Sequence, residues 1–247
     1  MKRSLLKSKF IILALRTVLL AAVLIIVFLQ PQLLVYPRPF FSAFVPLHVL
    51  WAFWMGLFIL KLFPAGHVTM AGKKIFSRFN DIEPIDDIEP ANDPGSMNKY
   101  VKTRNLGALY TCVAGSIVIL PFYILYLVGL IEPIVLVIYS VLLFALDVVF
   151  ETVYCPFQRL IMKNRCCNVC RIYAWNSFLI MSPLLIIPSF FSWSLAFVAL
   201  LGAIENEISW LRHPEYFWDV TNKKLRCAEC TTKMCRIRKP VRERPLS

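Results

Sequence analysis

The chain has 247 residues, 58% of them hydrophobic and only 17% charged, with a mean hydropathy of +0.65. A water-soluble domain runs to about 45–50% apolar and about 25% charged residues, so this composition excludes an ordinary soluble enzyme and points to the lipid bilayer. Lys and Arg outnumber Asp and Glu by 27 to 15; nothing matches a nucleic-acid reading module, so the surplus fits the cytoplasmic loops of a membrane protein and no nucleic-acid partner is expected.

Residues 1–63 hold two apolar runs. Lys2, Arg3, Lys7 and Lys9 precede the first, Phe10 to Leu29. No small-residue cleavage site follows and the run is long enough to span, so it reads as a retained helix and not a signal peptide. Arg16 interrupts it and is expected to snorkel back to the interface. A second span is expected from about Phe41 to Phe63, with His48, Trp51 and Trp54 inside it. A single histidine without a partner at helical spacing reads as an interior hydrogen-bonded residue.

Residues 64–105 are polar and read as a cytoplasmic loop. They repeat Asp81-Ile-Glu-Pro84 as Asp87-Ile-Glu-Pro90, then give the turn signal Asn92-Asp-Pro-Gly95. The acidic residues there fit no EF-hand spacing, so a solvated loop is expected. Residues 106–154 supply the third and fourth spans, Leu106–Leu130 with a tolerated Pro121 and Ile134–Tyr154, joined by a short turn at Glu132-Pro133. A cysteine-rich loop fills 155–173. Residues 174–211 hold a short fifth run, Ala174–Pro188, readable as a tilted span or half of a re-entrant hairpin, and a sixth from about Phe190 to Leu211. The basic tail 212–247 follows.

Charge orients these runs. Segments 1–9, 64–105, 155–173 and 212–247 hold 4, 6, 4 and 10 Lys+Arg, and the opposite connections hold only Arg38. The expected fold is therefore an all-α bundle of about six transmembrane helices with both termini cytoplasmic, in a plasma or inner membrane.

The chemistry concentrates in thiols. Cys155, Cys166, Cys167 and Cys170 lie in one basic loop, and Cys227, Cys230 and Cys235 lie in the tail. A C-x-x-C turn brings two thiolates onto one metal, and the pairs Cys167/Cys170 and Cys227/Cys230 supply a tetrahedral set. Between the pairs lie 56 residues and two spans, but both pairs return to the same expected face. Zinc is favoured over an iron–sulfur cluster by the pairing; Cys155, Cys166 and Cys235 are surplus to zinc, and His213 is a further candidate ligand. The ferredoxin spacing C-x2-C-x2-C-x3-C is absent. Dithiol redox chemistry beside Arg165, Arg171 and Arg226, and palmitoylated or idle thiols, are the alternatives. Cytoplasmic placement disfavours structural disulfides, and Cys112, inside the third span, reads as a small buried hydrophobe.

Asp147, Glu151 and Cys155 stand at i, i+4 and i+8, one stripe of the fourth span. With Glu205 or Glu207 of the sixth span they are candidates to line a polar pocket, because ionisable groups in a span face the bundle interior. Pairing with Arg159, Arg165 or Arg212 at the interface is the plainer expectation. No G-x-S-x-G, P-loop, G-x-G-x-x-G or H-E-x-x-H signature occurs, so an enzymatic activity has no motif behind it. Three functions compete: membrane redox at the cysteine site, transport with a structural or regulatory metal, and a scaffold whose tail Lys233–Arg244 docks a protein or anionic lipid.

Overall fold

The computed structural model describes residues 2–29, 44–62, 94–152, 154–164, 170–222 and 225, without the side chains of 2–10, 94, 151 and 152. The acidic repeat and Cys166, Cys167, Cys227, Cys230 and Cys235 lie outside the described residues, as does the Glu151 side chain. The described chain is helical, with no strand among those residues. Its α-helices are α1 (Lys2–Leu29), α2 (Pro46–Leu62), α3 (Pro94–Leu127), α4 (Pro133–Thr152), α5 (Trp175–Met181) and α6 (Phe190–Arg212). A π turn at Phe157–Ile161 and 3₁₀ turns at Ser182–Leu184 and Pro214–Phe217 complete the order.

Four stretches are long and apolar enough to cross a membrane: Ile11–Leu29, Gly95–Leu127, Pro133–Phe150 and Phe190–Arg212. They correspond to the first, third, fourth and sixth expected spans. α2 is apolar but has 17 residues. α3 starts twelve residues before the expected Leu106, so 94–105 is helix and not loop. Pro94 is the reason the turn signal misled. At the first helical position its missing N–H removes no hydrogen bond and its fixed φ suits the helix. The other end of α3 closes with a Schellman motif, Leu130 N to Leu125 O and Gly129 N to Tyr126 O, around Gly129 at φ +77°. Pro133 then opens α4 after the short turn expected there.

The fold divides into two compact units. One comprises residues 1–62, 115–150 and 174–203. Its core joins Trp54 and Phe58 of α2, Leu136, Val137, Val141 and Phe144 of α4, Met181, Ile187 and Phe191. Ser192, Ala196, Ala199 and Ala203 form one buried face of α6, where small side chains let a neighbour approach closely. The rim is strongly apolar: Ile11, Val18, Phe28, Ile117, Leu127 and Phe197 are all exposed. Water does not tolerate such a surface at this density, and hydrocarbon does.

In this unit the fifth expected run is broken. α5 has seven residues and rises about 10 Å, against about 30 Å for a bilayer core. The 3₁₀ turn with Pro183 follows, and then an irregular stretch to Pro188. The chain nevertheless runs antiparallel to α2. Lys61 Nζ donates to Ser177 Oγ at 3.0 Å at one end, and the His48 ring meets Phe191 edge-on at 4.9 Å at the other. Two carbonyls at the break, of Ser182 and Leu185, accept from Tyr123 OH and Trp193 Nε1. Side chains thus satisfy backbone groups that a continuous helix would have bonded itself.

The other unit comprises 63–114, 151–173 and 204–247. Its core is aromatic. Tyr100 stacks on Trp218 at 5.0 Å and Phe217 meets Trp210 edge-on at 5.2 Å. The Tyr100 hydroxyl donates to Phe217 O at 3.0 Å, and Trp210 Nε1 donates to Asn105 Oδ1 at 3.0 Å. This core is why α3 begins early: Met97, Tyr100 and Val101 have apolar partners that only the fold assembles.

Candidate functional site

Charge is buried in the first unit where four elements meet. Arg16 of α1 donates from Nη1 to Asp147 Oδ2 of α4 at 2.8 Å and to Phe144 O at 2.8 Å. Its guanidinium also lies 4.0 Å from the Phe144 ring centroid. Asn176 Nδ2 of α5 donates to the other carboxylate oxygen at 2.9 Å, and Ser177 Oγ lies 3.4 Å from Asn176 Oδ1. Lys61 of α2 reaches Ser177, and with Arg16 it acts electrostatically on Asp147. The Arg16 and Asp147 side chains are 12% and 17% exposed, so this pair is held largely out of solvent. Arg16 therefore pairs with Asp147 inside this unit.

The stripe expected through Asp147, Glu151 and Cys155 does not reach the cysteine, because α4 ends at Thr152. It continues in the opposite direction. Ser140, Phe144 and Asp147 stand at i, i+4 and i+7 on one buried face of α4. Sequence reasoning missed Arg16, Lys61, Asn176 and Ser177. A signal existed for the first two, since each is a lone cation in an apolar run and a lone carboxylate stood in another.

In the second unit, Arg104 of α3 donates from Nη1 to Met162 O at 2.8 Å and to Asn164 Oδ1. Gln158 Nε2 donates to Asn164 O at 2.9 Å, and Asn164 N returns a bond to Gln158 O at 3.0 Å. Lys163 takes a positive φ of 48°, turning the chain so that Asn164 is fully buried. A side chain at Gly107 would meet Met162 Sδ at 2.8 Å, so α3 carries glycine where this loop presses on it. Two thiols are tethered to this knot. Gln158 N donates to Cys155 Sγ at 3.4 Å, and burial pushes the Cys170 thiol up to about 11. The Cys155 thiol adds to that rise, while Arg104 and the Asn164 amide oppose it. Burial thus disfavours the Cys170 thiolate.

Arg171, next in sequence, donates to Glu207 Oε2 at 2.5 Å and lies over the Trp210 ring at 4.8 Å. Asn206 Nδ2 donates to Arg171 O at 2.9 Å. The buried position on this stretch of α6 is thus Asn206, while Glu205 and Glu207 are half-buried on either side. Asp147 belongs to the first unit and these two glutamates to the second. His213 pairs with Glu215 Oε1 at 2.9 Å and stacks on Tyr216. Cys112 corrects another expectation: it is exposed on α3, not buried. Among the described residues no three of His, Cys, Asp and Glu converge as metal ligands. Only Cys155, Cys170 and His213 of the expected ligands fall within them.

Comparison of the chain with protein-family models, with curated proteins and with solved structures returns no match in any of the three.

Proposed function

We propose that this is a polytopic integral membrane protein that moves a small polar solute or ion through its first unit, with the cysteines forming a structural or regulatory zinc site. The carrying observation is the buried Arg16–Asp147–Asn176 cluster with Lys61 and Ser177 beside it. Four chain elements in an apolar unit converge on charge that an inert anchor would not need, and intramembrane ionisable groups mark solute pathways. The broken α5 segment supports the same reading. Interrupted spans place backbone and polar side chains where a solute can meet them.

Six crossings with both termini cytoplasmic fit the basic-residue bias and the antiparallel course of 175–189 along α2. On that topology the charge cluster lies toward the cytoplasmic leaflet of a plasma or inner membrane, and the basic tail faces protein or anionic lipid. Reconstituted protein should take up at least one member of a panel of protons, alkali cations, halides and small organic acids. Uptake in Asp147→Asn should fall by at least about tenfold, a loss of roughly 1.4 kcal/mol or more in transition-state stabilisation. A panel with no uptake, or an Asp147→Asn protein as active as wild type, would sink the proposal.

The thiols carry the second reading, a metal site that clips the tail 212–247 to the loop 155–173. Cys155 and Cys170 bear on one knot of hydrogen bonds, which favours convergence in that loop. Anaerobically purified protein is expected to hold one zinc, lost in Cys167→Ser/Cys230→Ser. Iron with labile sulfide would instead move electron transfer to the front, and absence of metal would leave dithiols or lipidated cysteines.

A further inference from the structure

Several hydroxyls in the described helices are satisfied by their own helix. Thr17, Thr103, Thr111 and Ser194 each turn back onto the carbonyl four residues earlier, at 2.6–2.9 Å. This is the ordinary way for a helical hydroxyl to be satisfied without water. Ser140 of α4 is fully buried, yet its Oγ has no hydrogen-bond partner among the described residues. Indoles show the same contrast. Trp51, Trp193 and Trp210 place Nε1 on Ser194, Leu185 O and Asn105. Trp54, 2% exposed, leaves Nε1 without a partner among the described residues.

Ser189 Oγ, just before α6, is likewise buried without a partner among the described residues, but Trp54 and Ser140 are neighbours of one residue. Trp54 packs edge-on against Phe144 at 5.9 Å, and Ser140 stands one turn from Phe144 on the same face of α4. The Arg16 guanidinium covers a face of that ring, and Asp147 follows it on the helix. Phe144, 1% exposed, therefore touches both the charged cluster and the Trp54 indole. Along α4 the distance from Ser140 to Asp147 is only about 10 Å.

We infer that Trp54 Nε1 and Ser140 Oγ form a binding site for a small inorganic anion in the bundle interior, with Phe144 as the plug between it and the Arg16–Asp147 cluster. The inference rests on the transport reading and names its substrate class. An indole N–H only donates and a hydroxyl donates as readily, so the group recognised here is an acceptor. Val137, Val141 and Phe58 belong to the same apolar core as Trp54 and bring no charge, so a halide-like ion would be held by N–H and O–H dipoles. Arg16 lies over the Phe144 ring, where its charge would draw an anion toward it. Rotation of the Phe144 ring would join the two.

The test uses the full chain in liposomes loaded with a chloride-sensitive dye, and in detergent for halide titration of tryptophan emission. Wild type should pass chloride, and Trp54→Phe and Ser140→Ala should each cut the flux by about tenfold, the worth of one hydrogen bond to a charged group. Ser140→Thr, which keeps the hydroxyl, should stay within about twofold of wild type. Part of the bromide-induced change in tryptophan emission should vanish in Trp54→Phe. Where Trp54→Phe fails to fold, the nearly isosteric Ser140→Ala carries the comparison. Cation or proton uptake with no chloride flux or binding would overturn the anion site and leave transport standing. Halide binding at Trp54 without any flux would support the site and remove the transport reading. Equal chloride flux in all variants would overturn the site.

Discussion

Replacing Arg16 by methionine should destabilise the protein by about 3–5 kcal/mol, because it leaves a buried carboxylate without its main counter-ion. The pair is 12% and 17% exposed, with direct contact at 2.8 Å, so water can replace little of what is lost. Asn176 and Lys61 remain near Asp147, which places the expected cost toward the lower end of that range. The double variant Arg16→Met/Asp147→Leu should recover most of the loss, since no uncompensated charge then remains in an apolar unit. Reversible unfolding in a bilayer mimic, read as a double-mutant cycle, measures the coupling directly. A coupling below about 0.5 kcal/mol would mean that the two groups act independently and that the cluster does not bind α1 to α4. Stability regained in the double variant while uptake stays lost would separate the functional demand for the pair from its structural one.

Trp210→Ala is expected to cost a further order of effect in the second unit, about 3–5 kcal/mol. The indole is 1% exposed, packs on Tyr100 and Phe217, lies under the Arg171 guanidinium and donates to Asn105. Alanine would leave a cavity and two partners without their bond or ring face. Trp210→Phe keeps a ring and loses the Nε1 donor, so about 0.5–1.5 kcal/mol is expected, the net worth of one hydrogen bond, because Asn105 is itself exposed. Amide exchange localises the effect: protection around Tyr100 and Phe217 should fall together, since the Tyr100 hydroxyl holds Phe217 O. Independent loss at one of the two would contradict a single aromatic core in this unit.

The contrast between α3 and the fifth run shows where local pattern stops being informative. Apolar length located α1, α3, α4 and α6, because a span needs about twenty apolar residues and little else competes for such runs. The turn between α3 and α4 was equally legible, in Gly129 and Pro133. The first turns of α3 were not, since Met97, Tyr100 and Val101 become a helix face only when Trp210 and Phe217 arrive from more than 100 residues away. The fifth run was legible as irregular from Pro183 and Pro188. Its course along α2 depended on the contacts of Ser177 with Lys61 and of Phe191 with His48.

What the amino-acid order determined by itself was an all-helical chain with long apolar helices, the clustering of its basic residues in the segments between apolar runs, and the isolation of Arg16, Lys61 and Asp147 within such runs. These properties are additive along the chain, being sums of transfer free energies and counts of charge. What only the tertiary structure decided was that Arg16 meets Asp147, that Asn206 and not its flanking glutamates is buried on its stretch of α6, and that Ser140 and Trp54 are left with unmatched donors beside Phe144. Those outcomes depend on which side chains from distant segments reach one another in a close-packed, water-poor interior. There a hydrogen bond or ion pair is strong only when its partner is within about 3 Å, and no local pattern encodes that distance.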